Sequence, residues 1–117
     1  RFARDLVGRG VLLAPEQTVV VGDDEEQTAS LARTFATRYL SLVNYRNSLL
    51  REGWAESDLD APGSDRLLDE VVITGDANTV ASALDSHIAA GADHVCIQDL
   101  GPQPLSSLRA LAAELGL

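Results

Sequence analysis

The sequence contains no lysine and no methionine, and its nine basic residues, all arginine, face 18 acidic ones, for a formal net charge of -9. So acidic a chain is repelled by phosphate backbones and anionic headgroups, because cationic side chains supply the sequence-independent part of nucleic-acid affinity. Neither nucleic acid nor a membrane is therefore expected as a partner. Long apolar runs are missing as well: runs such as 11–15 and 19–21 fall far short of the roughly 20 residues that a membrane-spanning helix needs. A single cysteine, Cys96, cannot form an internal disulfide and fits a reducing, cytoplasmic setting. The 117 residues suffice for one ordinary domain. The opening Arg1-Phe2-Ala3-Arg4, with no methionine anywhere, leads to the expectation that they are a piece of a longer protein.

Hydrophobic spacing then divides the chain. Phe2, Leu6 and Val7 mark one face of a helix within residues 1–9. The β-branched run at 18–21 reads as a buried strand, with Pro15 before it. Acids at 23–26 precede helical spacing of Leu31, Phe35, Tyr39, Leu40 and Leu42, predicting a helix over 24–42. A second short helix fits 44–52, ending at Gly53, with Trp54 as an anchor for the next segment, and 55–65 is loop-like. Residues 65–72 fit a helix while 71–74 fit a strand, and periodicity alone does not separate them. Asp76 can cap a helix over 77–90 that Gly91 ends, a strand occupies 94–98, and Leu105, Leu108, Leu111 and Leu115 mark a last helix to about Glu114. Helix, turn, strand, loop, helix is the unit of parallel α/β folds, but two firm strands are too few for a stable open sheet.

Five motifs now stand in order: Leu12-Leu13-Ala14-Pro15-Glu16-Gln17; Arg38-Tyr39-Leu40-Ser41-Leu42-Val43-Asn44-Tyr45-Arg46-Asn47; Gly53-Trp54 with Asp58-Leu59; Gly63-Ser64-Asp65-Arg66-Leu67; and Gly91-Ala92-Asp93-His94-Val95. Together they closely resemble the carboxyl-terminal part of the luciferase-like oxidoreductases that use a deazaflavin coenzyme. That family consists of (β/α)8 barrels, so the resemblance implies that residues 1–117 form the final third of a TIM barrel, helix-rich with few parallel strands. It further implies a helical insertion at about 44–72, which tilts 65–72 toward helix. The implied reaction of the full-length enzyme is hydride transfer between a reduced deazaflavin and a small organic substrate. Flavin mononucleotide (FMN) and monooxygenase chemistry are the alternative in relatives of the same fold. The catalytic residues would lie upstream, leaving the fragment itself inactive.

Barrel active sites sit at the carboxyl ends of the strands. Gln98, Asp99 and Gly101, at the exit of the last predicted strand, are thus candidates for a coenzyme or substrate pocket. Tyr45 and Arg46 could line a substrate entrance, the guanidinium meeting a carboxylate or an anionic coenzyme tail; helix packing with a surface arginine is the competing role. Asp93 and His94 resemble a dyad but lie at the start of a strand, so Asp93 is expected to make turn hydrogen bonds. Glu16 and Gln17 are assigned to fold maintenance on the same ground. Cys96 is expected to be a buried packing residue and Asp76 a cap, while Asp65-Arg66 fits a local cap and ion pair. His87 and His94 lack the spacing of metal ligands. A rival reading from another class is a non-catalytic acidic association module, since a partial barrel exposes strand edges and apolar faces that favour a homo-oligomer.

Overall fold

A computed structural model describes residues 2–117, with side chains from residue 3 onward. Strand β1 (Glu16–Val21) is central in a three-stranded, wholly parallel sheet of order β2-β1-β3. It pairs with β2 (Val72–Gly75) from Thr18 against Val72 to Val21 against Gly75, and with β3 (Cys96–Asp99) from Glu16 against Cys96 to Val19 against Asp99. Both strands predicted outright are present with shifted ends, β1 starting two residues early and β3 two residues late relative to 18–21 and 94–98.

The main correction concerns residues 65–74. Helix α4 (Asp65–Val71) passes directly into β2, so helix and strand both exist and share the apolar run. The helical spacing of Leu67, Leu68 and Val71 and the β-branched Val72-Ile73-Thr74 describe consecutive elements. The sheet therefore has the third strand that the sequence pattern left unresolved.

Helices cover both faces of the sheet. The 16-residue α2 (Glu25–Leu40) lies on one face and buries Thr28, Ala32, Ala36 and Leu40, a stripe at four-residue intervals whose small members let the helix approach Val20 and Val72 closely. α3 (Val43–Arg51), a 3-10 turn at Glu56–Leu59, and α4 complete that side around Leu40, Leu49, Leu59 and Leu67. On the other face α5 (Ala77–Ala89) and α6 (Pro104–Glu114) close over Val19 with Val80, Ala81, Leu84 and Leu111. Caps start the helices: the Asp24 carboxylate accepts the Gln27 N–H at 3.0 Å and Asp76 that of Thr79 at 2.7 Å, each cap worth about 1 kcal/mol. Ser64, not Asp65, caps α4 through the Leu67 N–H at 3.3 Å, and Arg66 pairs with Asp58 at 3.3 Å rather than with Asp65.

The crossover from β1 to β2 uses α2 to α4, whereas the crossover from β2 to β3 passes back over β1 by α5 on the opposite face. Connections of one hand that run in opposite directions along a sheet must use opposite faces. This is the pattern of an open, doubly wound sheet. In a barrel each strand joins the one before it and all helices lie outside, so the order β2-β1-β3 differs from that of three consecutive barrel strands. No described helix is long and apolar enough to cross a membrane.

The first helix is α1 (Phe2–Val7). Arg1 and the Phe2 side chain lie outside the described residues, and Leu6 and Val7, the described part of the apolar face read from the sequence, are exposed rather than packed. Instead Arg4 donates to the carbonyls of Gly91, Gly8 and Val11 at 2.7 to 2.8 Å and pairs with Asp93. Gly91, with φ at +109°, ends α5 where an added Cβ would meet the Arg4 side chain at 3.1 Å. Asp93 also accepts the Leu13 N–H at 2.8 Å; this bond first, then that from Arg4, holds its carboxyl below the ordinary 3.8.

The strand register and the Asp93 contacts are each open to a direct test. A Glu16→Cys variant is expected to form a disulfide with Cys96, its partner in the β1–β3 register, detectable by mass spectrometry after mild oxidation. The Asp93 contribution to stability is present above the unfolded-state pKa and is lost as pH falls through the depressed folded one. Thermal melts should accordingly show Asp93→Asn destabilised at neutral pH and the difference from the parent chain shrinking below about pH 4.

Candidate functional site

Side chains on one face of β1 build the floor of a cleft. Alternation turns Val19 and Val21 toward α5 and α6, and turns Glu16, Thr18 and Val20 toward α2. At the Val20 end, the small residues of α2 close against the strand. Toward Glu16 the helix carries Phe35, Arg38 and Tyr39 instead, and bulk at those positions leaves a cleft of about 890 Å³ between sheet and helices. Tyr45, Leu49, Glu52 and Trp54 form its far wall, Glu70 and Val71 one end, and Gln98 and Leu100 the other.

The wall is an aromatic stack. Tyr39 and Tyr45 lie 4.1 Å apart between ring centroids, with planes at 23°, and Phe35 leans on Tyr39 at 5.7 Å. Such pairs contribute about 0.5–1.5 kcal/mol beyond the area they bury. Trp54 completes the set; the Arg66 guanidinium stands over its ring at 4.5 Å. Burial, and then the nearby Tyr45, Glu52 and Glu16, push the Tyr39 phenol above its ordinary 10.0. Three carboxylates and one guanidinium, Arg38, line the cleft among the described residues, so its field is negative.

Of the five residues singled out in the sequence, Tyr45 and Gln98 reach this cleft and the other three do not. Arg46 is turned away: its guanidinium donates to the Leu59 carbonyl at 2.8 Å and lies 3.9 Å from Asp60, tying α3 to the turn beyond it. Asp99 folds back on its own backbone, Oδ1 accepting the Gly101 N–H at 2.8 Å, and its buried Oδ2 has no hydrogen-bond partner. Gly101 serves that turn. Both residues belong to the end of β3 rather than to the cleft.

Cys96 is exposed, contrary to the packing role expected of it. It shares the Gln98 side of an edge strand, the side that α2 does not cover, whereas Val95 and Ile97 pack against the α5–α6 layer. Gln17 does maintain the fold: its amide donates to the Thr18 and Val71 carbonyls at 3.0 and 3.3 Å, and its Oε1 lies 3.0 Å from His87 Nε2. Glu16, grouped with it in the sequence, lines the cleft beside it and lies near enough to Tyr39 to act on its phenol. Glu52 and Glu70 carry no mark in the sequence that sets them apart from other acids. Period-two alternation along β1 could have separated Glu16 from Gln17, and the spacing of Phe35, Arg38, Tyr39 and Leu42 marks one helical face; nothing local joins that face to Glu70.

Among the described residues, no group of three His, Cys, Asp or Glu side chains is placed to hold a metal ion. Comparison of the chain with protein-family models, with curated proteins and with solved structures finds no match.

The electrostatics of the stack can be read directly from its phenol. In a Tyr45→Phe variant, which leaves Tyr39 as the single tyrosine, titration by near-ultraviolet absorbance should give a midpoint above 10.0. Adding Glu52→Gln should move that midpoint down without returning it to the ordinary value, because burial is the larger cause.

Proposed function

We propose that the chain is the carboxyl-terminal part of a luciferase-like oxidoreductase in which a reduced deazaflavin and a small organic substrate exchange a hydride, the cleft forming one wall of the pocket. The observation that supports this best is the convergence of Tyr45 and Gln98, distant in sequence, on one cleft beside the stacked Tyr39. The fit is partial. Stacked rings and the Gln98 amide suit a planar heterocycle with polar edges, whereas Glu16, Glu52 and Glu70 disfavour an anionic tail. A deazaflavin would supply the hydride chemistry when bound; the residues of this chain would orient a ring and exclude water from one side of it. FMN has a similar ring and is the alternative coenzyme.

In a complete barrel, β3 would stand beside β2, and an upstream strand would take the edge of β1 that β3 holds here. Three features favour such a completion. The outer edges of β2 and β3 have no strand partner among the described residues. The chain is a slab of 39 × 39 × 18 Å. Its radius of gyration, 14.8 Å, exceeds the roughly 13 Å usual for this length. β1 is the most buried strand, and pairing its free edge with β3 protects it when no upstream strand is present.

The test is a pair of titrations with oxidised deazaflavin and FMN, one on the 117-residue chain and one on the chain extended upstream in its natural reading frame. The extended protein should bind one coenzyme, bind it far more tightly than the short chain, and lose the Glu16→Cys to Cys96 cross-link. Absence of binding of either coenzyme to the extended protein would refute the reading. A second reading, a non-catalytic association module, is favoured by one observation: Leu6, Leu12, Val43 and Leu105 are each more than 60% exposed. Sedimentation of the purified chain distinguishes it, since self-association at micromolar concentration together with absent coenzyme binding is expected from that reading alone.

A further inference from the structure

The geometry points to a cationic, planar aromatic molecule as the small-molecule occupant of the cleft. This inference rests on the cleft being a ligand site, as proposed above, but not on the coenzyme or the reaction.

Size and shape come first. A space of about 890 Å³, open on one side, lies within the range of organic-ligand pockets. Its wall is made of rings: Tyr39 and Tyr45 stack at 4.1 Å, and Tyr45, 39% exposed, is the more accessible of the pair.

Charge then selects among planar ligands. Glu16 at the start of β1, Glu52 just after α3 and Glu70 in α4 approach from three sides, and none belongs to an ion pair among the described residues. The acids of the other ion pairs, Asp58, Asp60 and Asp93, are spoken for by arginines; these three are not. Arg38 alone opposes them within the lining. An anionic ring would meet three carboxylates, whereas a cation gains them together with the aromatic rings of the wall. The chain already shows the preference of these rings in Arg66, which places its guanidinium over Trp54 at 4.5 Å. The Tyr39 phenol is raised first by burial and then by Tyr45, and Glu52 and Glu16 add to the shift in the same direction.

The experiment uses Trp54, the single tryptophan of the chain, as the reporter. Its fluorescence is followed while the 117-residue chain is titrated at low ionic strength with N-methylacridinium, neutral acridine and acridine-9-carboxylate, three probes of one shape and different charge. The cation should bind roughly tenfold more tightly than the carboxylate, and the difference should shrink in about 0.5 M salt. Glu16→Gln with Glu52→Gln should remove most of the preference, while Asp5→Asn with Asp85→Asn, exposed acids outside the cleft, should leave it. Circular dichroism confirms that each variant is folded. Equal binding of the three probes, or an equal loss in both double variants, would overturn the inference, the second outcome because it would reflect the general acidity of the chain. The coenzyme titrations fail or succeed separately: carboxylate-dependent binding of methylacridinium with no coenzyme binding by the extended protein sinks the oxidoreductase reading and keeps the cation site, and coenzyme binding with no charge preference does the reverse.

Discussion

Every layer of this molecule is organised around one strand that must be covered on all four sides. Val19 and Val20 of β1 are 0% and 1% exposed, and they point in opposite directions, so the strand needs a helix layer above and another below. Its two edges need partners for their N–H and C=O groups, and β2 and β3 supply them. The consequences spread outward. Ala32 is small where α2 lies against Val20 and Val72, and Val80, Ala81, Leu84 and Leu111 of α5 and α6 close over Val19. The buried Gln17 is tolerable only because its amide reaches two carbonyls and His87.

The cleft is a by-product of the same constraint. The α2 face of β1 is sealed only where alanines allow contact, and Phe35 and Tyr39 hold the helix off the strand toward Glu16. The chain then turns at Ser41 into α3, which stacks Tyr45 on Tyr39 instead of returning to the sheet. Packing thus produces a polar floor of Glu16, Thr18 and Gln98 beneath an aromatic wall.

How far this was legible in the sequence depends on the range of the interaction. The cap at Asp76 is local, as is the alternation that sets Cys96 and Gln98 apart from Val95 and Ile97, and sequence patterns display them; Asp24, read as the first residue of its helix, is the cap just before it. β2 was hidden because a helix and a strand share one apolar run without a breaker between them. The exposure of Cys96 depends on which strands are edges, and that is a property of the strand order, not of the residues beside it. Glu70 is the clearest case. Its neighbours mark it as an ordinary solvated acid of α4, and only the pairing of β2 with β1 brings it to the same opening as Glu16.

The fate of the arginines gives the site its sign. With no lysine in the chain, positive charge is scarce, and the fold commits Arg4 to Asp93 and the turn carbonyls, Arg46 to Leu59 and Asp60, and Arg66 to Asp58 and Trp54. Each is held by groups distant in sequence, so releasing it to meet an anionic ligand would break a connection between elements as well as an ion pair. Arg46 shows why its sequence context misled: an arginine beside Tyr45 on a short helix looks like an anion ligand, yet the Leu59 carbonyl competes for it and wins by proximity. On the oxidoreductase reading, Arg38 is the one guanidinium lining the cleft among the described residues that is left to meet an anionic coenzyme tail, and three carboxylates oppose it. What the cleft itself offers is an aromatic wall and three carboxylates that have no arginine partner among the described residues, a combination expected to discriminate by charge before it discriminates by shape.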